Sequence, residues 1–158
     1  MIVDVRRRGG RAATVRGVDT TVTPLNPDER EWVSAQLAAA VRFVADYGST
    51  RDMGLAALEH AWASWLDRQA VDPGDPEPVL NAVGVYFGQS LVDSLDGFDW
   101  VHTEDDSGVD LAVYGLPGAG DVLIYPANVV AERYGSKDAS FLVSGHEKIL
   151  QQVAELRG

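Results

Sequence analysis

The stretch Asn81–Arg133, NAVGVYFGQSLVDSLDGFDWVHTEDDSGVDLAVYGLPGAGDVLIYPANVVAER, decides the fold. Its first part, extended back through Val79 and Leu80, is apolar almost all round. Val83, Val85, Tyr86, Phe87, Leu91, Val92 and Leu95 leave little polar face, which predicts a covered, central helix over about Pro76–Leu95. Gly84 and Gly88 lie four residues apart on one face of that helix. Each glycine costs about 1 kcal/mol relative to alanine in a helix interior, and close approach of another backbone would offset the cost. The sheet or the first helix can provide that approach. A second copy of the chain, a homodimer through the Gly84/Gly88 face, is the lesser alternative.

After Asp96-Gly97 the apolar period changes from helical to alternating. Phe98–His102 reads as a strand, Glu104–Gly108 as a turn and Val109–Tyr114 as the returning strand. Leu116–Gly120 forms the next turn, and Asp121–Tyr125 a third strand with the apolar centre Val122-Leu123-Ile124. Pro126 stops that strand and opens a short helix ending near Gly135.

Working outward, helix signals begin at Asn26. Asn26 can cap, Pro27 suits the first helical position, and Asp28 and Glu29 lie where the helix dipole favours negative charge. Val33, Leu37, Val41 and Val44 form one stripe, and Gly48 ends the helix. A second helix is expected over Met53–Gln69, with Leu55, Leu58, Trp62, Trp65 and Leu66 on one face as core. Val71–Pro76 is a loop rich in breakers. The last helix carries Ile149, Leu150, Val153 and Leu156, with Ser144 and Glu147 at capping-box spacing. Residues 1–25 hold weak strands at Ile2-Val3 and Val18–Val22, or form a basic arm, with Gly9-Gly10 as the turn.

The 158 residues suit one domain, and the net charge of −11 is the main bias. It is uneven: residues 1–25 carry five arginines against Asp4 and Asp19, which leaves −14 on the rest. So acidic a body repels phosphate backbones, so nucleic acid is not an expected partner, whereas a basic protein would be steered toward it. The chain has no cysteine, which excludes disulfides, thiolate metal sites and cysteine nucleophiles and fits a reducing cytoplasm. No apolar run approaches the roughly 18 residues that span a bilayer, and no apolar stretch follows the N-terminal arginines as in a secretory signal.

The densest polar cluster is His102, Glu104, Asp105, Asp106 and Asp110. Asp and Ser beside Gly are what a tight hairpin requires, and this is the primary reading of the run. Its carboxylates are also the first candidates for a binding surface. Oxygen ligands at close spacing can hold a divalent cation, so His102, Glu104, Asp106 and Asp110 form an alternative metal or small-ligand site, with metal-assisted hydrolysis as its chemistry. Glu132 and Arg133 are a further candidate binding pair. No cofactor is expected. His60 and His146 look exposed. Ser90 sits in a helix without a nucleophile elbow, and the Gly118-Ala119-Gly120 turn lacks the lysine and hydroxyl of a phosphate cradle.

The order of these features from Pro78 to Leu142 resembles the bacterial DUF3806 family. The resemblance rests on Ala82-Val83-Gly84-Val85 with Gly88-Gln89, Trp100-Val101, an acidic turn with Gly108 and Asp110-Leu111-Ala112-Val113. It continues through a strand ending in Tyr125-Pro126 to Val130-Ala131-Glu132-Arg133. Glu132 stands where the family usually has a lysine, which removes a basic pair. The resemblance implies an α+β domain without an assigned activity, and by analogy an immunity- or accessory-type role.

Together these readings predict one α+β domain over residues 26–158, preceded by the segment 1–25. Three N-terminal and central helices would pack on a small antiparallel β-meander, with a C-terminal helix closing one edge. The expected function is a non-catalytic cytoplasmic module that binds another protein through an acidic surface.

Overall fold

The computed structural model describes residues 3–7, 20–48, 52–115 and 120–158. Five helices and a five-stranded antiparallel sheet occur among them, an α+β arrangement closed by a C-terminal helix. The elements follow the chain as β1 (Val3–Arg7), β2 (Thr21–Pro24), α1 (Pro27–Tyr47), α2 (Leu55–Val71) and α3 (Glu77–Ser94). Then come β3 (Asp99–Asp105), β4 (Gly108–Gly115), β5 (Gly120–Ile124), α4 (Pro126–Gly135) and α5 (Leu142–Arg157). The expected Gly9-Gly10 turn and positions 116–119 of the turn before β5 lie outside the described residues.

The meander β3-β4-β5 forms as expected, and the N-terminal segment adds a strand to each side of it. The sheet order is β1-β5-β4-β3-β2. Val3 pairs opposite Ile124 in β5, and Val22 opposite Thr103 in β3. Strand alternation divides the sheet into two faces. Trp100, Val113, Val122 and Ile124 join the main core beneath the helices. Val101, Ala112 and Leu123 form a smaller cluster on the other face, with Val22, Tyr114 and Tyr125 against it.

Helix α1 starts where local chemistry dictates. Asn26 Oδ1 accepts from the Glu29 backbone N–H at 2.8 Å, and Glu29 Oε1 accepts from the Asn26 N–H at 3.0 Å. This reciprocal capping box satisfies two donors that the first turn would otherwise leave open. The expected stripe needs one correction: Val41 is half exposed, and Ala40 and Phe43 are buried instead. At ~100° per residue Val41 has drifted about 80° from Val33, whereas Ala40 and Val44 return to within about 20° of it.

Helix α2 presents its tryptophans inward, as expected of core residues. Trp62 is fully buried, and its indole N–H donates to the Asp138 carbonyl at 2.8 Å. Its ring lies 5.3 Å from Trp65 and 5.7 Å from Phe141, and Trp65 lies 5.5 Å from Tyr134. These contacts tie α2 to α4 and to the start of α5.

Helix α3 is central, packed against α1, α4, α5 and β4. Its glycine face is filled from within the chain. A Cβ on Gly84 would stand 3.3 Å from Ala127 Cα; one on Gly88 would stand 2.4 Å from the Trp100 ring and 2.7 Å from Pro126 Cγ. The face considered for a dimer seam is therefore covered by β3 and the first turn of α4.

Helix α5 departs from the expected start. It begins at Leu142, so Ser144 lies inside its first turn and makes no capping box. Its Oγ contacts the Ser140 and Phe141 carbonyls instead. Buried Phe141 and Leu142 anchor the start, and Glu59 of α2 accepts from the Val143 N–H at 3.2 Å. A tertiary acceptor thus takes the place of a local cap. His146 also differs from expectation, being half-buried against α3.

Candidate functional site

The acidic residues of the β3–β4 hairpin lie next to the acidic first turn of α1. The two elements are joined by one short contact: His102 Nδ1 lies 2.7 Å from Glu29 Oε2. Glu29 thus caps its own helix with one carboxylate oxygen and holds a strand histidine with the other. The Asn26 N–H bonded to it holds its carboxyl below the ordinary range, and His102 adds to this while partial burial opposes it.

The hairpin is tighter than expected. Strand β3 continues through Asp105, which pairs opposite Gly108, so only Asp106 and Ser107 form the turn. Asp105 Oδ1 accepts from the Ser107 N–H at 2.8 Å, and Gly108 takes φ +122°, a backbone state that suits glycine. Asp105 therefore shapes the turn, while Glu104 and Asp106 stand exposed.

Alternation separates the four alternative metal ligands. His102 and Glu104 project on the helix side of the sheet, Asp110 belongs to the opposite side, and Asp106 stands at the tip. No group of three or more His, Asp or Glu side chains that could hold a metal ion occurs among the described residues. Asp110 Oδ1 accepts from the Leu111 N–H at 2.8 Å. Partial burial pushes its carboxyl up against that bond, and neighbouring Asp105 adds to the rise.

Glu132 and Arg133 have separate surroundings. Arg133 pairs with Asp138 at 3.0 Å and lies over the Phe141 ring at 6.0 Å, so its charge serves the α4–α5 connection. Glu132 is exposed. Ser90 donates back to the Tyr86 carbonyl at 2.9 Å within its own helix. His146 Nε2 lies 3.2 Å from both Ser94 Oγ and the Ser90 carbonyl. A carbonyl only accepts, so the contact with Ser90 requires the tautomer with its proton on Nε2.

One feature of the acidic end is absent from the sequence expectations. Trp32 is 40% exposed and Val109 60% exposed, and both line a shallow pocket of about 280 Å³ with Glu29, Asp110 and Leu111. The signal was in the helix spacing: Trp32 lies one residue, ~100°, off the buried position Val33. Asp28 and Glu29 precede Trp32 by four and three residues, on the same side of α1. Glu104 lies opposite Val109 in the β3–β4 register and shares its face.

A larger cavity of about 400 Å³ lies between the end of α2 and the end of α4, lined by Leu66, Asp67, Tyr134 and Lys137 among others. It offers one charge of each sign, and Gln69 in its wall is already bonded to Gly74 through both amide atoms. The acidic end is the more distinctive surface, because exposed aromatic area and several carboxylates coincide there among the described residues.

A family model described as a domain of unknown function, DUF3806, matches residues 58–140, a little over half the chain. The match reaches back beyond Pro78 to Leu58, so it takes in the tryptophan face of α2. No curated protein and no solved structure matches the chain.

Proposed function

We propose a function for this chain, which belongs to the DUF3806 family through residues 58–140, from its own surface: a non-catalytic module that binds a basic protein partner through its acidic end. The observation that carries the reading is the exposed Trp32–Val109 pair beside Asp28, Glu29 and Glu104. Exposed tryptophan is a favoured anchor of protein interfaces, and a single-signed rim steers and orients a partner of opposite charge. A cytoplasmic setting and an accessory or immunity-type role are consistent with this surface. No helix among the described residues is long and apolar enough to cross a membrane.

The test is affinity capture from the native cell lysate at low and moderate salt, with the wild-type chain and the double variant Glu104→Lys/Asp106→Lys. Neither residue holds the turn, so the variant tests charge alone. The reading expects a basic protein that is retained in proportion, released as salt rises and lost with the double variant. Retention indifferent to both salt and charge reversal would refute it.

A further inference from the structure

Resting on that reading, we infer that the pocket between α1 and β4 receives an arginine side chain of the partner, its guanidinium stacked on Trp32. Three observations converge on this occupant. The pocket has an apolar floor, Val109 and Leu111, of a kind that the methylene stem of a long side chain can cover. Trp32 offers an exposed indole at its edge. Glu29, whose carboxylate is shared with Asn26 and His102, lines the pocket, while Glu104 lies opposite Val109 in the strand register and Asp28 one turn before Trp32 on α1, both exposed.

No arginine or lysine among the described residues pairs with any of these three carboxylates. Arg30, the cation nearest in sequence, donates from Nε to the Leu25 carbonyl at 3.3 Å and lines a separate cleft with Asp99 and Trp100. Among the described residues the site thus has negative charge without an arginine or lysine counter-charge, next to an aromatic surface. A guanidinium suits that combination better than an ammonium. It is planar and weakly hydrated, stacks on the indole, and keeps its edge N–H groups free for carboxylates. An aliphatic or aromatic side chain would fill the floor but leave the carboxylates unused.

The test follows the indole N–H signals of the four tryptophans by ¹H–¹⁵N NMR, with the Trp32 signal assigned by its loss in Trp32→Phe. The probes are the peptide acetyl-Ala-Arg-Ala-Arg-Ala-amide and its counterpart with citrulline in place of both arginines. Citrulline keeps the shape and removes the charge. The arginine peptide is expected to shift the Trp32 signal selectively, and the citrulline peptide to bind about 10-fold more weakly. Glu104→Gln is expected to weaken the arginine peptide by roughly 2- to 5-fold. Equal binding of the two peptides, or an arginine peptide that leaves the Trp32 signal unmoved, overturns the inference. That failure is distinct from failure of the interaction reading, whose test is the salt dependence and charge-reversal sensitivity of partner capture. A partner lost with Glu104→Lys/Asp106→Lys but retained by Trp32→Ala would keep the acidic surface and remove the arginine pocket.

Discussion

Trp62 and Trp32 stand on successive helices and meet opposite surroundings. Trp62 is fully buried, its ring packed among Trp65, Tyr134 and Phe141 and its N–H satisfied by the Asp138 carbonyl. Trp32 is 40% exposed beside an exposed valine and a rim of carboxylates. The first arrangement seals α2, α4 and α5 together. The second leaves apolar surface in water at one end of the molecule, where folding alone gains little from it. One large aromatic residue thus serves stability in one place and remains available for recognition in the other.

The contrast can be broken by substitution, and the largest effect belongs to the sealed side. Trp62→Ala removes a buried indole and its hydrogen bond, and about 3–5 kcal/mol of stability is expected to go with it. Urea denaturation checks this, and a loss below about 1 kcal/mol would mean that the aromatic cluster is not the keystone described. Gly88→Ala comes next. Its new methyl would meet the Trp100 ring and Pro126 at distances too short for van der Waals contact, so about 2 kcal/mol should be lost despite alanine's better helix propensity. An unchanged denaturation midpoint would show that α3 and β3 can move apart freely.

Glu29→Gln sharpens the comparison at the boundary between the two regions. Glutamine can keep the capping box but gives up the charge shared with His102 and the helix dipole, which is worth about 1 kcal/mol at neutral pH. Because the folded-state value of Glu29 lies below its ordinary one, its contribution is fully present above the unfolded-state value and fades as pH falls through the folded one. The stability gap between wild type and Glu29→Gln should therefore close in acid. A gap that is constant across the acid range would place the effect elsewhere. The smallest expected effect is that of Trp32→Ala, within about 0.5 kcal/mol of wild type by the same denaturation measurement.

Much of the fold was legible because local chemistry controls it. Asn26-Pro27 starts α1, Pro126 starts α4, and the alternation after Gly97 gives the meander. The start of α5 was not legible: its first-turn partner is Glu59, which lies 84 residues from Val143. The candidate site was read only in part for the same reason. Glu104 and Asp106 remain surface carboxylates as expected. The link from His102 to Glu29 spans 73 residues, and no local pattern reports it. Trp32 could have been noticed, since it lies off the apolar stripe of its helix, but only the fold brings Val109 and Leu111 beside it.

The most direct test of this division is quenching of tryptophan fluorescence by caesium and by iodide, each scaled to free N-acetyltryptophanamide. Trp62, Trp65 and Trp100 are buried, so collisional quenching should report on Trp32 alone. One accessible indole in four is expected, quenched more strongly by caesium than by iodide, with the difference shrinking in Glu104→Gln and at high salt. Equal quenching by the two ions, or several accessible indoles, would contradict the picture of a sealed aromatic core and an open acidic end.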